Sequence, residues 1–203
     1  MPKDTSYHKE NLRRDLIAAG LAFVEENGHV PLSVRTLAQK VGVSPGAPYH
    51  HFADRRALLL AIATEGFDEL IRDAAAIVAA DLPPVERLTA LGLAFVDFAC
   101  KRPRLMELMY ESELTGPTRD PALEPYQTSG QGLIRQAIVE GAPKDIDERS
   151  LEIRATAFWC AMYGFAALRR KQNIQSFDRF AMKADDVARS VVGQAAANAL
   201  APV

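Results

Sequence analysis

The stretch LSVRTLAQKVGVSPGAPYHHFADRRALLL, residues 32–60, decides the fold. Ser33 has the side chain of an N-cap, and a short helix is expected over residues 34–41, with Val34, Leu37, Ala38 and Val41 inward. Gly42 suits a sharp turn that needs positive φ. Ser44 caps again, and Pro45 fits a first helical position, where its missing N–H costs nothing. A second short helix is therefore expected through about residue 51. Asp54 then caps a longer helix carrying Leu58, Leu59, Ile62, Phe67, Leu70, Ile71, Ala74 and Ile77.

Two short helices around a glycine turn make a helix-turn-helix candidate. Ala38 is small enough for the second helix to approach, and Val43 follows the turn as an apolar pin. The second helix must present small or polar side chains to base edges. Here those are Ser44, Pro45, Gly46 and Ala47, followed by Tyr49 and His50. Helix N-termini carry free N–H groups and partial positive charge. The pairs Ser33/Thr36 and Asp54/Arg55 place two more N-termini beside this one.

Outward from this stretch, apolar residues recur at helical spacing and no alternating β-branched run appears, so the chain reads as all-α. A first helix is expected over residues 9–26, ended by Asn27-Gly28. Beyond the long helix that starts near Asp54, others are expected over about 85–101, 103–110, 126–140, 147–172 and 177–200. That makes nine in total. Residues 115–125 (TGPTRDPALEP) are the clearest loop.

The chain has 203 residues, 48% hydrophobic and 25% charged, with a net charge of −2. Such a composition excludes disorder and collagen-like repeats. Charge is uneven: residues 1–60 hold 8 basic against 6 acidic side chains, and residues 61–203 hold 16 against 20. All four histidines lie in the first 60 residues. This asymmetry points to an anion-binding N-terminal module. Cys100 and Cys160 sit in apolar runs without CxxC spacing, so both read as core residues of a cytosolic protein. No apolar leader opens the sequence and no run is long enough for a membrane, which predicts a soluble cytoplasmic protein with no membrane partner.

The residues 32–52 and 54–59 strongly resemble the DNA-binding domain of TetR-type (TetR/AcrR) transcriptional regulators, over about residues 7–60. Ala38, the Gly42-Val43-Ser44 turn, Tyr49, Phe52 and Leu58-Leu59 stand at the family's spacing. Arg55 replaces the family's usual lysine and keeps its phosphate-seeking charge. Pro48 departs from the pattern and predicts an irregular recognition helix, since it lacks a backbone donor. Residues 157–168 (AFWCAMYGFAAL) are similar to a subgroup with a Trp-x-x-x-His-Gly signature, with Tyr163 in place of the histidine.

The resemblance implies a DNA module over residues 1–54 and a ligand-binding and dimerisation domain over 55–203. It implies DNA contacts from Arg35, Thr36, Ser44, Pro45, Gly46, Ala47, Tyr49, His50 and Arg55. A core-facing Tyr49 and a solvated His50 or Arg35 are the alternatives. Lys3, Lys9, Arg13 and Arg14 could track the DNA as an arm, or simply be disordered. A palindromic double-stranded operator and a homodimer follow. The last two long helices would pair it, through Ala157, Ala161, Gly164, Ala167 and Leu168 and through Val187, Val191, Ala195 and Leu200. A small-molecule effector would release a repressor from DNA. Its pocket would draw on Phe95, Met106, Met109, Tyr110, Phe158, Trp159 and Met162, although most such side chains must be ordinary core.

No phosphate loop, paired-carboxylate motif or metal-ligand spacing is present, so no enzyme, cofactor or metal is expected; adjacent His50 and His51 do not share a helix face. Two other readings use the same residues. One is a helical small-molecule-binding protein or enzyme whose N-terminal helices are structural. The other is a DNA-binding dimer whose second domain only sets half-site spacing or meets a protein partner.

Overall fold

The computed structural model describes residues 5–116, 118–171 and 182–202. These form eight α-helices and two short 3-10 turns: α1 (Thr5–Asn27), α2 (Val34–Val41), a 3-10 turn (Ala47–His50), α3 (Arg55–Val78), α4 (Pro84–Lys101), α5 (Pro103–Tyr110), a second 3-10 turn (Pro121–Leu123), α6 (Glu124–Gly141), α7 (Glu148–Arg170) and α8 (Ala184–Leu200). The all-α expectation holds. Of the nine expected helices, the third is a single 3-10 turn. The last begins at Ala184, because Met182 and Lys183 are non-helical; its expected start at Phe177 lies outside the described residues.

The helix ends follow from local chemistry. Ser33 Oγ accepts a hydrogen bond from the Thr36 amide at 3.0 Å. Asp54 Oδ1 accepts from the Ala57 amide at 2.8 Å and Asp147 Oδ1 from the Ser150 amide at 2.9 Å. Each satisfies one of the amides that a helix start leaves unpaired. Gly42 closes α2 at φ 77°, and its N–H and that of Val43 reach the carbonyls of Gln39 and Ala38. Gly28 closes α1 at φ 78°.

The chain divides into two compact units. The first holds residues through Asp68 together with Arg102–Leu123. Its core joins Leu16, Leu37, Leu58, Leu59 and Ile62 to Leu105, Met106, Leu108 and Met109, all fully or almost fully buried. At Gly66 the packing is close: a Cβ there would stand 2.5 Å from Met109 Sδ. Arg102 Nε donates to Glu25 at 2.6 Å, tying α5 to the end of α1.

The second unit holds residues 69–101 and 124–203. Within it α4, α6, α7 and α8 pack around Leu88, Phe95, Val96, Ile138, Phe158, Met162, Val192 and Ala196. A Cβ at Gly92 would collide with Val192 and Phe158, so α4 approaches its neighbours closely there. Arg154 donates to the carbonyls of Ala199 (3.0 Å) and Ala201 (2.6 Å). It thereby satisfies acceptors that the end of α8 leaves open.

Candidate nucleic-acid interface

The recognition segment departs from the expected helix at both of its prolines. Pro45 does not open a helix. Ser44, Pro45, Gly46 and Ala47 form a reverse turn in which the Ser44 carbonyl accepts from the Ala47 amide at 3.0 Å. Pro45 suits the second position of such a turn, and Gly46 follows at φ −84° and ψ −21°, the type I geometry. Ser44 thus contributes its carbonyl to the turn, and no side-chain cap hydrogen bond is made at the start of the 3-10 turn. Pro48 explains why the turn stays short. It has no N–H to reach back to Ser44, and its ring would clash with that carbonyl in an α-helix. The Tyr49 amide instead bonds to Gly46, and those of His51 and Phe52 to Pro48.

This backbone sorts the side chains. Pro48 and Phe52 are buried against the module, while Ser44, Pro45, Gly46 and His50 are exposed and Ala47 is half-buried. Tyr49 is 54% exposed, which excludes the core-facing alternative. On α2, Arg35 is exposed and has no internal hydrogen bond or ion pair among the described residues. The Thr36 hydroxyl shares a 2.7 Å hydrogen bond with Ser33 and is half-buried. Arg13 lies over the Phe52 ring at 5.6 Å and Lys40 over the Phe23 ring at 5.3 Å. Lys3 and the side chain of Lys9 lie outside the described residues.

Arg55 is placed differently from the expectation of an outward, phosphate-seeking group. Its Nε donates to the Leu32 carbonyl at 2.7 Å, and its Nη2 to the carbonyls of His29 (2.7 Å) and Val30 (3.2 Å). Its Nη1 pairs with Glu113. The guanidinium therefore holds the loop between α1 and α2 onto the start of α3. Arg56 adds hydrogen bonds to the Glu113 carbonyl (2.8 Å) and to Asp120 (3.0 Å). Sequence reasoning missed His29, Glu113 and Asp120, which complete this cluster; nothing local in the sequence links residues 26 to 64 positions apart.

His29 is 5% exposed, with Nε2 3.5 Å from Glu113 and Nδ1 buried without a hydrogen-bond partner among the described residues. Burial alone would raise the Glu113 carboxyl, but the hydrogen bond and charge of Arg55, helped by His29, hold it below its ordinary value.

The expected pocket residues fall in both units. Met106, Met109 and Tyr110 belong to the first. The two methionines are core, and Tyr110 meets the Phe67 ring edge-on at 5.3 Å. Phe95, Phe158, Trp159 and Met162 belong to the second, and all but Trp159 are buried. Trp159 packs edge-on against Phe95 at 5.0 Å and stacks on Tyr163 at 5.8 Å. It also lines a recess of about 100 Å³ between α6 and α7, with Gln131, Ile134, Arg135, Glu152, Ala155 and Thr156. Of the seven candidates, Trp159 alone lines this recess. Its volume is below the roughly 300 Å³ at which drug-sized pockets begin.

Cys160 corrects an expectation: it is exposed on α7 rather than part of the core, while Cys100 is half-buried. Burial pushes the Cys100 thiol up. No helix among the described residues is long and apolar enough to cross a membrane.

A short helix, a glycine turn and an outward-facing segment define a helix-turn-helix regulator. Residues 16–62 match the family described as bacterial regulatory proteins, tetR family, and residues 88–194 match the tetracyclin repressor-like C-terminal domain. The chain belongs to the TetR family, whose members are regulators rather than enzymes. An HTH-type transcriptional repressor of Mycobacterium tuberculosis is 36% identical over 70 residues, 34% of this chain. That match spans 37% of the repressor's own length. A protein of unknown function from Rhodococcus sp. RHA1 superimposes with a TM-score of 0.79 at 28% identity, covering 94% of this chain and 96% of that one. A TetR variant from Acinetobacter baumannii AYE in complex with minocycline shares the fold, with a TM-score of 0.62 at 18% identity over 90% of this chain and 93% of that one.

Proposed function

We propose that this protein is a homodimeric transcriptional repressor that leaves a palindromic operator when a small molecule binds its C-terminal domain. The observation that carries the DNA reading is the outward recognition segment, Ser44–Ala47 with Tyr49 and His50, beside an Arg35 that has no partner among the described residues, within a TetR-type N-terminal match. The repressor sign is borrowed from the Mycobacterium tuberculosis relative. In this reading residues 1–54 bind DNA and residues 55–203 dimerise and sense, although Arg102–Leu123 packs with the N-terminal helices.

Tyr49, His50, Arg35, Thr36 and Ser44 contact phosphates or base edges. Arg55 acts by holding the α1–α2 loop. Phosphate contacts supply affinity and the few side chains at base edges supply sequence choice. Two symmetry-related recognition segments require half-sites about one helical turn apart. Tyr49→Ala is expected to weaken operator binding with little change in stability, and to lower the salt slope by about 1 for each phosphate no longer engaged. Gel shifts across a salt series check this. Normal binding by Tyr49→Ala would overturn the placement of the segment.

The dimer reading rests on α7. Ile153 (59% exposed), Ala157, Cys160 and Leu168 (47% exposed) stand along its outward face, with Gly164 half-buried among them. They span about 22 Å of helix. On α8, Val187 and Leu200 are taken up by the core, which leaves Val191 and Ala195 half-buried. A second copy covering this stripe makes an isologous interface. Leu168→Glu is expected to give monomers in sedimentation and to lose cooperative operator binding. A dimer that survives this change and Ile153→Glu overturns the assignment.

For the effector, the support is Trp159, with Tyr163 and Gly164 after it as in the Trp-x-x-x-His-Gly subgroup, and the minocycline complex of a fold neighbour. Trp159 is the chain's one tryptophan, so its fluorescence reports this site. Effector and DNA oppose each other reciprocally: the effector must weaken operator binding by the factor by which the operator weakens effector binding. Equal effector affinity with and without operator would remove the induction step.

A further inference from the structure

We infer that the outward face of the recognition segment reads the 5-methyl groups of thymine, so that each half-site carries thymines opposite Pro45, Gly46 and Ala47. This rests on the operator-binding reading above and specifies what that operator contains.

The first ground is chemical inventory. Residues 44–51 (SPGAPYHH) contain no Arg, Lys, Asn, Gln, Asp or Glu. Those are the side chains whose hydrogen bonds pick out guanine, adenine and cytosine in the major groove. The side chains presented at the tip are the Pro45 ring and the Ala47 methyl, on either side of Gly46. The thymine methyl is the one base-edge group that an apolar surface recognises.

Gly46 is the second and independent ground. Its φ of −84° and ψ of −21° are open to any residue, so the backbone does not require glycine. A Cβ there would meet nothing within 4 Å, so the interior does not require it either. Alanine at such a site would stabilise the fold by restricting the unfolded chain. A glycine that neither conformation nor packing demands, on a segment that faces outward, leaves its backbone open to a body approaching from outside. With Pro45 and Ala47 beside it, the surface is shallow and apolar, so a base edge can lie directly on the backbone. Arg35 on α2 supplies the nearby positive charge, and shape and deformability of the duplex add the remaining selectivity.

The test begins with selection of bound duplexes from random sequence. Each thymine of the enriched half-site is then replaced by deoxyuridine, which removes the methyl and leaves the pairing edge intact. At fixed salt, each thymine facing the tip is expected to lose about three- to fivefold in affinity. On the protein side, Gly46→Leu is expected to keep the helix content and melting temperature of the parent while weakening binding about tenfold or more. An enriched palindrome in which every deoxyuridine costs less than about 1.5-fold overturns the thymine assignment and leaves operator binding standing. Failure to enrich any sequence overturns the operator reading itself. Gly46→Leu binding like the parent removes the close approach at Gly46.

Discussion

The recognition segment and helix α7 use apolar side chains in opposite ways. Between Leu32 and Phe52 the large apolar groups Leu37, Pro48 and Phe52 turn inward, and what remains outside is small, polar or a single tyrosine. Helix α7 is apolar on two faces. Phe158, Met162 and Phe165 fill the core of their own unit, while Ile153, Ala157, Cys160 and Leu168 face out. A one-faced element is complete within its own chain; a two-faced one asks for a second partner. In the proposed reading the first region meets DNA and the second a copy of itself.

The largest effect should come from the inward face of α7. Phe158→Ala is expected to cost about 3–5 kcal/mol in urea unfolding at fixed protomer concentration. A loss below about 1 kcal/mol would mean that Phe158 lines a space rather than filling one, and would restore the deeper pocket suggested by the aromatic run. Next, Arg55→Ala takes the donor from the carbonyls of Val30 and Leu32 and leaves that of His29 only the Leu32 amide, and is expected to cost about 1–3 kcal/mol. Arg55→Lys should recover little of it, since an ammonium cannot bridge all these acceptors. If instead Arg55→Lys keeps both stability and operator affinity, Arg55 acts as a simple charge towards phosphate.

Gly42→Ala places a Cβ at φ 77° and is expected to cost about 1–2 kcal/mol. The same change at Gly46 should cost nothing in stability, which sharpens the difference between a glycine the fold needs and one that the ligand needs. The smallest effect concerns acid. The Glu113 carboxyl is lower in the folded state than its ordinary value of 4.5. Its contribution is therefore complete above that value and disappears as pH falls through the lower, folded one. Half-exposed as it is, it should contribute well under 1 kcal/mol. Glu113→Gln is expected to lower the neutral plateau by that small amount and to flatten the acid limb of a stability–pH curve below about pH 4.5, where the two proteins converge. An unchanged acid limb would separate Glu113 from the Arg55 cluster.

The same comparison explains what the sequence disclosed. Features set within a few residues were legible: the Ser33 and Asp54 caps, the end of α1 at Gly28, the positive φ at Gly42, the disturbance at Pro48. The contacts of Arg55 were not, because they depend on where Glu113 arrives from another helix. Pro45 was ambiguous, since the ring that suits a first helical position also suits a reverse turn, and Pro48 three residues on decided between them. The aromatic run in residues 157–168 announced burial but not whether those rings would fill a volume or border one. Cys160 shows the same limit: apolar periodicity says that a side chain will be covered, not whether its own chain covers it.

The order of the two units along the chain also has a consequence for biosynthesis. Arg102–Leu123 completes the first unit, yet residues 69–101, which belong to the second, leave the ribosome before it. The DNA-facing module therefore lacks the α5 side of its core until residue 123 has emerged, and the second unit stays open until α8 follows. N-terminal-first folding of whole domains, the usual order during synthesis, is closed to this chain. A fragment ending at Asp68 would present Ile62, Ala63 and Phe67 without Leu105, Met106 and Met109, so it should behave as a sticky intermediate rather than as a portable DNA-binding domain.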